Sequence, residues 1–169
     1  VNRMLGPNRR PSFAPVNIHS VLERVRTLVL AETAQRIAIH RDYDPSIPEI
    51  DGDSDQLIQA LLNVVRNAAR AIGETGNITL RTRVHRNLTI ANRRNRLSAV
   101  ISIIDDGPGI PQEIADTLFL PMVTSGTGGI GLGLSIAQSL VNQHHGLIEC
   151  RSRPAETIFT IYLPFSGVS

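Results

Sequence analysis

Hydrophobic and polar positions alternate along this chain in two distinct periods. From Asn17 to about Thr33 the apolar residues Ile18, Val21, Leu22, Val25, Leu28 and Val29 recur at three- and four-residue spacing, which predicts an amphipathic helix. Arg36–Tyr43 switches to a period of two around Ile37 and Ile39, predicting a strand closed by Asp44-Pro45 and Pro48. Asp53 stands where a helix N-cap belongs, with Gln56 three residues on to complete a capping box. Leu57, Leu61, Val64, Val65, Ala68 and Ile72 then share one helical face, and Gly73 marks the stop. Asn77–Val84 and Leu97–Ile104 are rich in β-branched residues and predict two paired strands with a basic loop between them. Asp105–Gly109 reads as a tight turn, Pro111–Leu118 as a short helix, and Pro121–Gly133 as a loop. Leu134–His145 restores the helical period up to Gly146, and Leu147–Arg151 and Thr157–Leu163 predict two last strands around Pro154. Hairpins mixed with helices, without strict βαβ alternation, predict a two-layer α+β sandwich. Residues 1–15, with Gly6, Pro7, Pro11 and Pro15, read as a linker from a preceding domain. Residues 16–169 then form one domain.

Composition sharpens this chiefly through one absence. All 17 of the Lys+Arg residues are arginine. Without lysine there is no Walker-type P-loop, no Schiff-base lysine and no eukaryotic-type kinase strand lysine. A nucleotide, if bound, must be held by arginine, backbone amides or a metal. The 41% hydrophobic fraction is ordinary for a globular chain, and a formal net charge of +2 implies no general grip on nucleic acid. Arg81/Arg83/Arg86 and Arg93/Arg94/Arg96 read as solvated faces of the hairpin and its loop. Cys150 is single, which excludes a disulfide framework and a cysteine zinc site, and it reads as a small core residue. Apolar runs fall short of a membrane span, and a cytoplasmic setting is expected.

Three segments could carry chemistry. Asn63, Asn67 and Arg70 neighbour each other on the central helix, where asparagine is a mediocre helix former. An amide oxygen is a hard ligand suited to Mg²⁺ and an arginine one turn away can meet a phosphate, although a polar edge facing water accounts for the pattern equally well. Asp105-Asp106-Gly107-Pro108-Gly109-Ile110 follows an apolar strand: a carboxylate there can accept from an amino group, and the glycines allow close approach of a flat ligand. An ordinary Asp-Gly turn has the same appearance. Ser125–Ser135 is a glycine-rich loop feeding a helix, a natural seat for phosphates. Gly126, Gly128 and Gly131 also match the dinucleotide fingerprint, with Glu149 downstream. That motif needs a strand immediately before it, and Phe119–Thr124 does not supply one.

Taken in order, Asn63…Asn67, Asp105-x-Gly-x-Gly and Gly129-x-Gly-x-Gly resemble the N, G1 and G2 boxes of the GHKL ATPase superfamily. Arg41–Glu49, Thr117–Val123 and Gly131–Ala137 are similar to the histidine kinases of nitrogen regulation, the NtrB type, and the resemblance runs from about Val16 to Leu163. It implies the Bergerat ATP-binding fold, a mixed sheet covered on one face by helices. It also implies ATP and Mg²⁺ as cofactors. Asn67 would hold the metal with Asn63 assisting, and Arg70 would approach the phosphates. Asp105 would receive the adenine amine, with Gly107, Gly109 and Ile110 shaping the base site. Phe119 would belong to the F-box. Thr124 and Ser125 would lie in a lid hinged by Gly129, Gly131 and Gly133, with Leu132 beside the nucleotide.

The resemblance also implies partners: a dimerisation domain carrying the phosphoacceptor His, an NtrC-like response regulator and a PII-type signal protein. Ile130 and Leu147 depart from residues common among relatives. None of His19, His40, His85, His144 and His145 has an H-box setting. His19 reads as a helix-start residue and His144/His145 as a helix end complementing the dipole. The chain is therefore expected to bind ATP and donate its γ-phosphoryl to a histidine outside it. The superfamily's hydrolases carry a glutamate base where this chain has Asn63, so activation of water is not expected.

Overall fold

The computed structural model describes residues 10–90, 93–110 and 130–165. In chain order these form β1 (Ala14–Val16), α1 (Ile18–Glu32), β2 (Ile37–Asp42), β3 (Ile50–Gly52), α2 (Ser54–Ile72), β4 (Gly76–Ile90), β5 (Arg93–Asp105), α3 (Ile130–Gln143), β6 (Leu147–Arg153) and β7 (Glu156–Pro164). A five-stranded sheet has the order β2-β4-β5-β7-β6, and β1 and β3 form a separate two-stranded ribbon. The β2–β4 pair is parallel and the other pairs are antiparallel, so the main sheet is mixed. The expected fold class holds.

Each element follows from local chemistry. Asn17 caps α1 by accepting from the His19 backbone N–H at 2.9 Å, and Ile18, Val21, Leu22, Val25 and Val29 form its buried stripe. Asp53 caps α2 by accepting from Gln56 N at 3.1 Å. The Asp53 N–H itself donates to His144 Nε2, a partner from the far end of α3. Gly73 closes α2 at φ 89°, a left-handed position that glycine adopts without strain. Strand β7 alternates buried and half-buried positions, with Phe159, Ile161 and Leu163 turned to the core, so one face of the sheet is covered. Helices α1, α2 and α3 supply that cover, closing over Leu80, Ile101, Ile103 and Phe159.

Four readings change. The hairpin is longer than its β-rich cores suggest: β4 runs to Ile90 and β5 starts at Arg93, so most of the expected basic loop is strand. Cross-strand pairing extends the ladder through polar positions such as Thr89↔Arg94, which period-two hydrophobicity does not mark. Helix α3 starts at Ile130 rather than Leu134, which puts Gly131 and Gly133 inside its first turn. Burial of Leu134 and a side-chain bond to the Gly133 carbonyl outweigh the roughly 1 kcal/mol helix penalty of glycine. Strand β1 lies at the end of the segment read as linker, paired to β3. His144 is buried with a lowered pKa caused by that burial, so it is a neutral core group and does not serve the dipole as a cation. The expected short helix at 111–118 and the loop 121–129 lie outside the described residues.

Candidate functional site

Helix α2 brings the two asparagines to the same side of the molecule but gives them different partners. Asn63 is half-buried and its Nδ2 donates to the Gly133 carbonyl at 3.3 Å, tying α2 to the first turn of α3. Asn67, one turn on, is 9% exposed, and its Oδ1 is buried without a hydrogen-bond partner. A buried amide oxygen left open is costly unless a ligand completes it. Gly107 packs on the same helix one turn further: a Cβ there would lie 3.3 Å from the Ala71 carbonyl oxygen. The loop after β5 therefore rests against the last turn of α2, one turn along the helix from Asn67.

Asp105 ends β5 and is 2% exposed. Its Oδ1 accepts from Gly107 N at 2.9 Å, while Oδ2 is buried with no hydrogen-bond partner. Burial pushes its pKa up to about 6, with the neighbouring Asp106 charge adding to the rise and the Gly107 N–H opposing it. Asp106 has the opposite character. It accepts from the Asn77 backbone N–H at 2.8 Å and from Asn77 Nδ2 at 2.9 Å, and these bonds hold its carboxyl below the usual range. Gly109 has φ 82°, and a Cβ there would overlap the Arg153 carbonyl oxygen. Ile110 N donates to Ser152 Oγ at 2.6 Å.

Arg70 is exposed and stands apart from these contacts. It lines a groove of about 430 Å³ between α1 and α2, together with Val29, Glu32, Arg36 and Arg66. The Glu32 carboxylate there is held by Arg66, whose hydrogen bonds lower its pKa. Gly131 and Leu132 fall in the first turn of α3. A Cβ on Gly133 would meet only open space. Phe119, Thr124, Ser125 and Gly129 lie outside the described residues.

The donor set fits Mg·ATP on two counts. Asn67 Oδ1 is an uncommitted hard oxygen, and Asp105 Oδ2 is an uncommitted acceptor beside Gly107 and Gly109, whose lack of side chains lets the loop sit against α2 and β6. No cluster of three or more His, Cys, Asp or Glu residues suited to a metal occurs among the described residues. A cation at Asn67 would thus need oxygens from the nucleotide and water, the usual habit of Mg²⁺ at phosphates. Three supports were not marked by the sequence: Asn77, Asp106 as a clamp rather than a ligand, and Ser152. All three act through hydrogen bonds between segments distant in sequence, which no local pattern announces.

The family model described as histidine kinase-, DNA gyrase B-, and HSP90-like ATPase matches residues 52–167. A sensory histidine kinase/phosphatase NtrB from Vibrio alginolyticus is 51% identical over 166 residues, 97% of this chain and 47% of that protein. The chain thus spans about half the length of the curated relatives it matches, 47% in the case of the Escherichia coli O157:H7 NtrB, which is 52% identical. Among solved structures, the catalytic domain of the histidine kinase ThkA superposes with a TM-score of 0.78 at 26% identity, covering 92% of this chain and 97% of that one. No helix among the described residues is long and apolar enough to cross a membrane. The order of the motifs, the mixed sheet under its helices and the matched family model agree: the chain belongs to the family of histidine kinase-, DNA gyrase B- and HSP90-like ATPases.

Proposed function

We propose that this chain is the Mg·ATP-binding catalytic domain of an NtrB-like sensor histidine kinase, donating the γ-phosphoryl to a histidine outside residues 1–169. The observation that carries the reading is the pair of buried, unpartnered acceptors, Asn67 Oδ1 on α2 and Asp105 Oδ2 at the end of β5. One suits a cation among phosphates and the other the amino group of adenine. A protein of similar structure, ShkA, has been crystallised full-length in complex with AMPPNP, superposing with a TM-score of 0.74 at 27% identity over 94% of this chain and 32% of that one.

In this reading Asn67 and Asn63 hold the Mg²⁺ side, and Arg70 adds positive charge near the phosphates. Gly107, Gly109 and Ile110 border the base. Phe119, Thr124, Ser125, Gly129, Gly131, Leu132 and Gly133 contribute the lid and its amides. Magnesium supplies neutralisation of phosphate charge when bound. The protein's part is to align the γ-phosphoryl with an incoming imidazole nitrogen. A phosphorus–nitrogen bond then forms as the bond to the bridging oxygen breaks, and ADP leaves. Asn63 in place of a carboxylate base favours transfer to histidine over transfer to water. The partners are a dimerisation and phosphoacceptor domain, an NtrC-like response regulator and a PII-type protein, in the cytoplasm.

The test mixes this chain with a separately made phosphoacceptor domain and γ-labelled ATP. Label on histidine that needs Mg²⁺ and Asn67 supports the reading, and no phosphohistidine overturns it. If saturating Mg·ATP also leaves the melting temperature unmoved, the chain is instead a docking module of the same fold. Ligand at about a hundred times its dissociation constant should stabilise by roughly 2.7 kcal/mol.

A further inference from the structure

Three polar side chains stand in one row across the sheet beneath the loop that carries Asp105. Asp105 pairs with Thr157 in the β5–β7 ladder, and Thr157 pairs with Ser152 in the β6–β7 ladder. Directly paired residues of antiparallel strands project to the same face. The row therefore lies on the side that carries Ile78, the buried β4 partner of Asp105. Ser152 Oγ and Thr157 Oγ1 are 3.0 Å apart, and Thr157 is 5% exposed. From this row Ser152 Oγ reaches across to accept the Ile110 N–H at 2.6 Å. Gly109, one residue earlier, lies so close to Arg153 that any Cβ would overlap its carbonyl oxygen and stand 3.2 Å from Ser152 Oγ.

The loop is thus held at both ends by different strands. Asn77 at the start of β4 grips Asp106 through two bonds, and Ser152 on β6 grips Ile110. Between the grips lie Gly107 and Gly109, and the open oxygen of Asp105 stands one residue before the first grip. Loss of the Asn77 grip would free the strand end itself. Loss of the Ser152 grip would free only the outer half of the loop and leave the ladder intact.

We propose that Ser152 is a positioning residue for the nucleotide base. Its hydroxyl seats Ile110 and Gly109 on the β6–β7 hairpin, so that the loop is already shaped when the adenine amine meets Asp105. This rests on the ATP-binding reading above. Ser152 itself touches no phosphate and takes no part in transfer. Its contribution is to pre-order the loop, which lowers the cost of binding without altering the reacting end.

The experiment compares this chain with its Ser152→Ala and Ser152→Thr variants. It measures Mg·ATP dissociation constants by calorimetry and then phosphoryl transfer to the separate phosphoacceptor domain across ATP concentrations. Ser152→Ala should weaken ATP about 5- to 20-fold, because Ile110 N loses its acceptor. Its KM should rise by a similar factor and its kcat should stay within about twofold. Ser152→Thr keeps the acceptor and should bind within about threefold of the parent. Unchanged affinity in Ser152→Ala overturns the proposal, as does a fall in kcat with KM unmoved. Equal loss in the alanine and threonine variants would also overturn it, since the effect would not then belong to the hydroxyl. If the parent chain binds no Mg·ATP, it is the ATP-binding reading that fails.

Discussion

Asn67 and Asp105 illustrate how a buried polar atom can be inexpensive to remove from the fold and yet costly to the site. Asn67 Oδ1 has no internal hydrogen bond to lose. Asn67→Ala should therefore change the unfolding free energy by no more than about 1 kcal/mol, while Mg²⁺-dependent ATP binding falls more than about tenfold. Denaturant unfolding and nucleotide titration with and without Mg²⁺ check both halves. Asp105 adds a pH dependence with two opposite signs. Its folded pKa is raised to about 6, above the ordinary carboxylate value. Between those pH values the folded chain binds the proton more tightly than the unfolded chain, so this group's contribution to stability declines as pH rises through that window. Nucleotide binding runs the other way, because only the ionised carboxylate is a pure acceptor for the adenine amine. ATP affinity should drop toward about tenfold per pH unit below pH 6, and Asp105→Asn should flatten that dependence.

At the scale of elements, the cap of α2 carries more than its helix. Asp53 accepts from Gln56 N at one oxygen and from Ser12 N at the other, at 2.8 Å, while its own N–H goes to His144. Asp53→Ala removes the helix cap and the tether of the N-terminal segment together. Loss should exceed the roughly 1 kcal/mol of a simple cap and approach about 2–3 kcal/mol, read from urea midpoints. Much of this scale was legible in the chain. Helices α1 and α2 follow from apolar spacing, with Asp53 as the cap of the second, and β7 from alternation around Phe159 and Ile161. The arms of β4 and β5 beyond Val84 and before Leu97 were not, because paired polar strands leave no hydrophobic period. The start of α3 was also hidden. Four glycines within Gly128–Gly133 oppose a helix locally, and the side chain that reaches the Gly133 carbonyl belongs to Asn63, 70 residues away. In the site, the ordered boxes were readable, whereas the clamps Asn77–Asp106 and Ser152–Ile110 join segments that sequence spacing does not connect.

Across the whole molecule, the segment entering at Ser12 is fastened to the ends of two helices at once. Phe13, 38% exposed, stacks on His144 at 4.9 Å between ring centroids, and Ala14–Val16 pairs with β3. The His144 ring is held as a neutral tautomer, with Nδ1 donating to the Leu140 carbonyl and Nε2 accepting from Asp53 N. Burial lowers its pKa, while Asp53 and Asp51 pull it upward and His145 pulls it down. With the folded pKa depressed, the unfolded chain binds the proton more readily, so stability falls as pH drops below about 6.5. The melting temperature should decline over that range, and His144→Gln should reduce the decline, with amide exchange reporting early opening of β1.

The parallel pairing of β2 with β4 carries a consequence for the order of events in folding. Hairpins β4–β5 and β6–β7 close over short loops and can form early, whereas β2 meets β4 only after the intervening chain has turned back on itself. Helix α2 is part of that intervening chain. Asn67 therefore reaches its place only when this non-local pairing closes. The chain should acquire its capacity for nucleotide in a kinetic phase later than the one that protects its two hairpins from exchange.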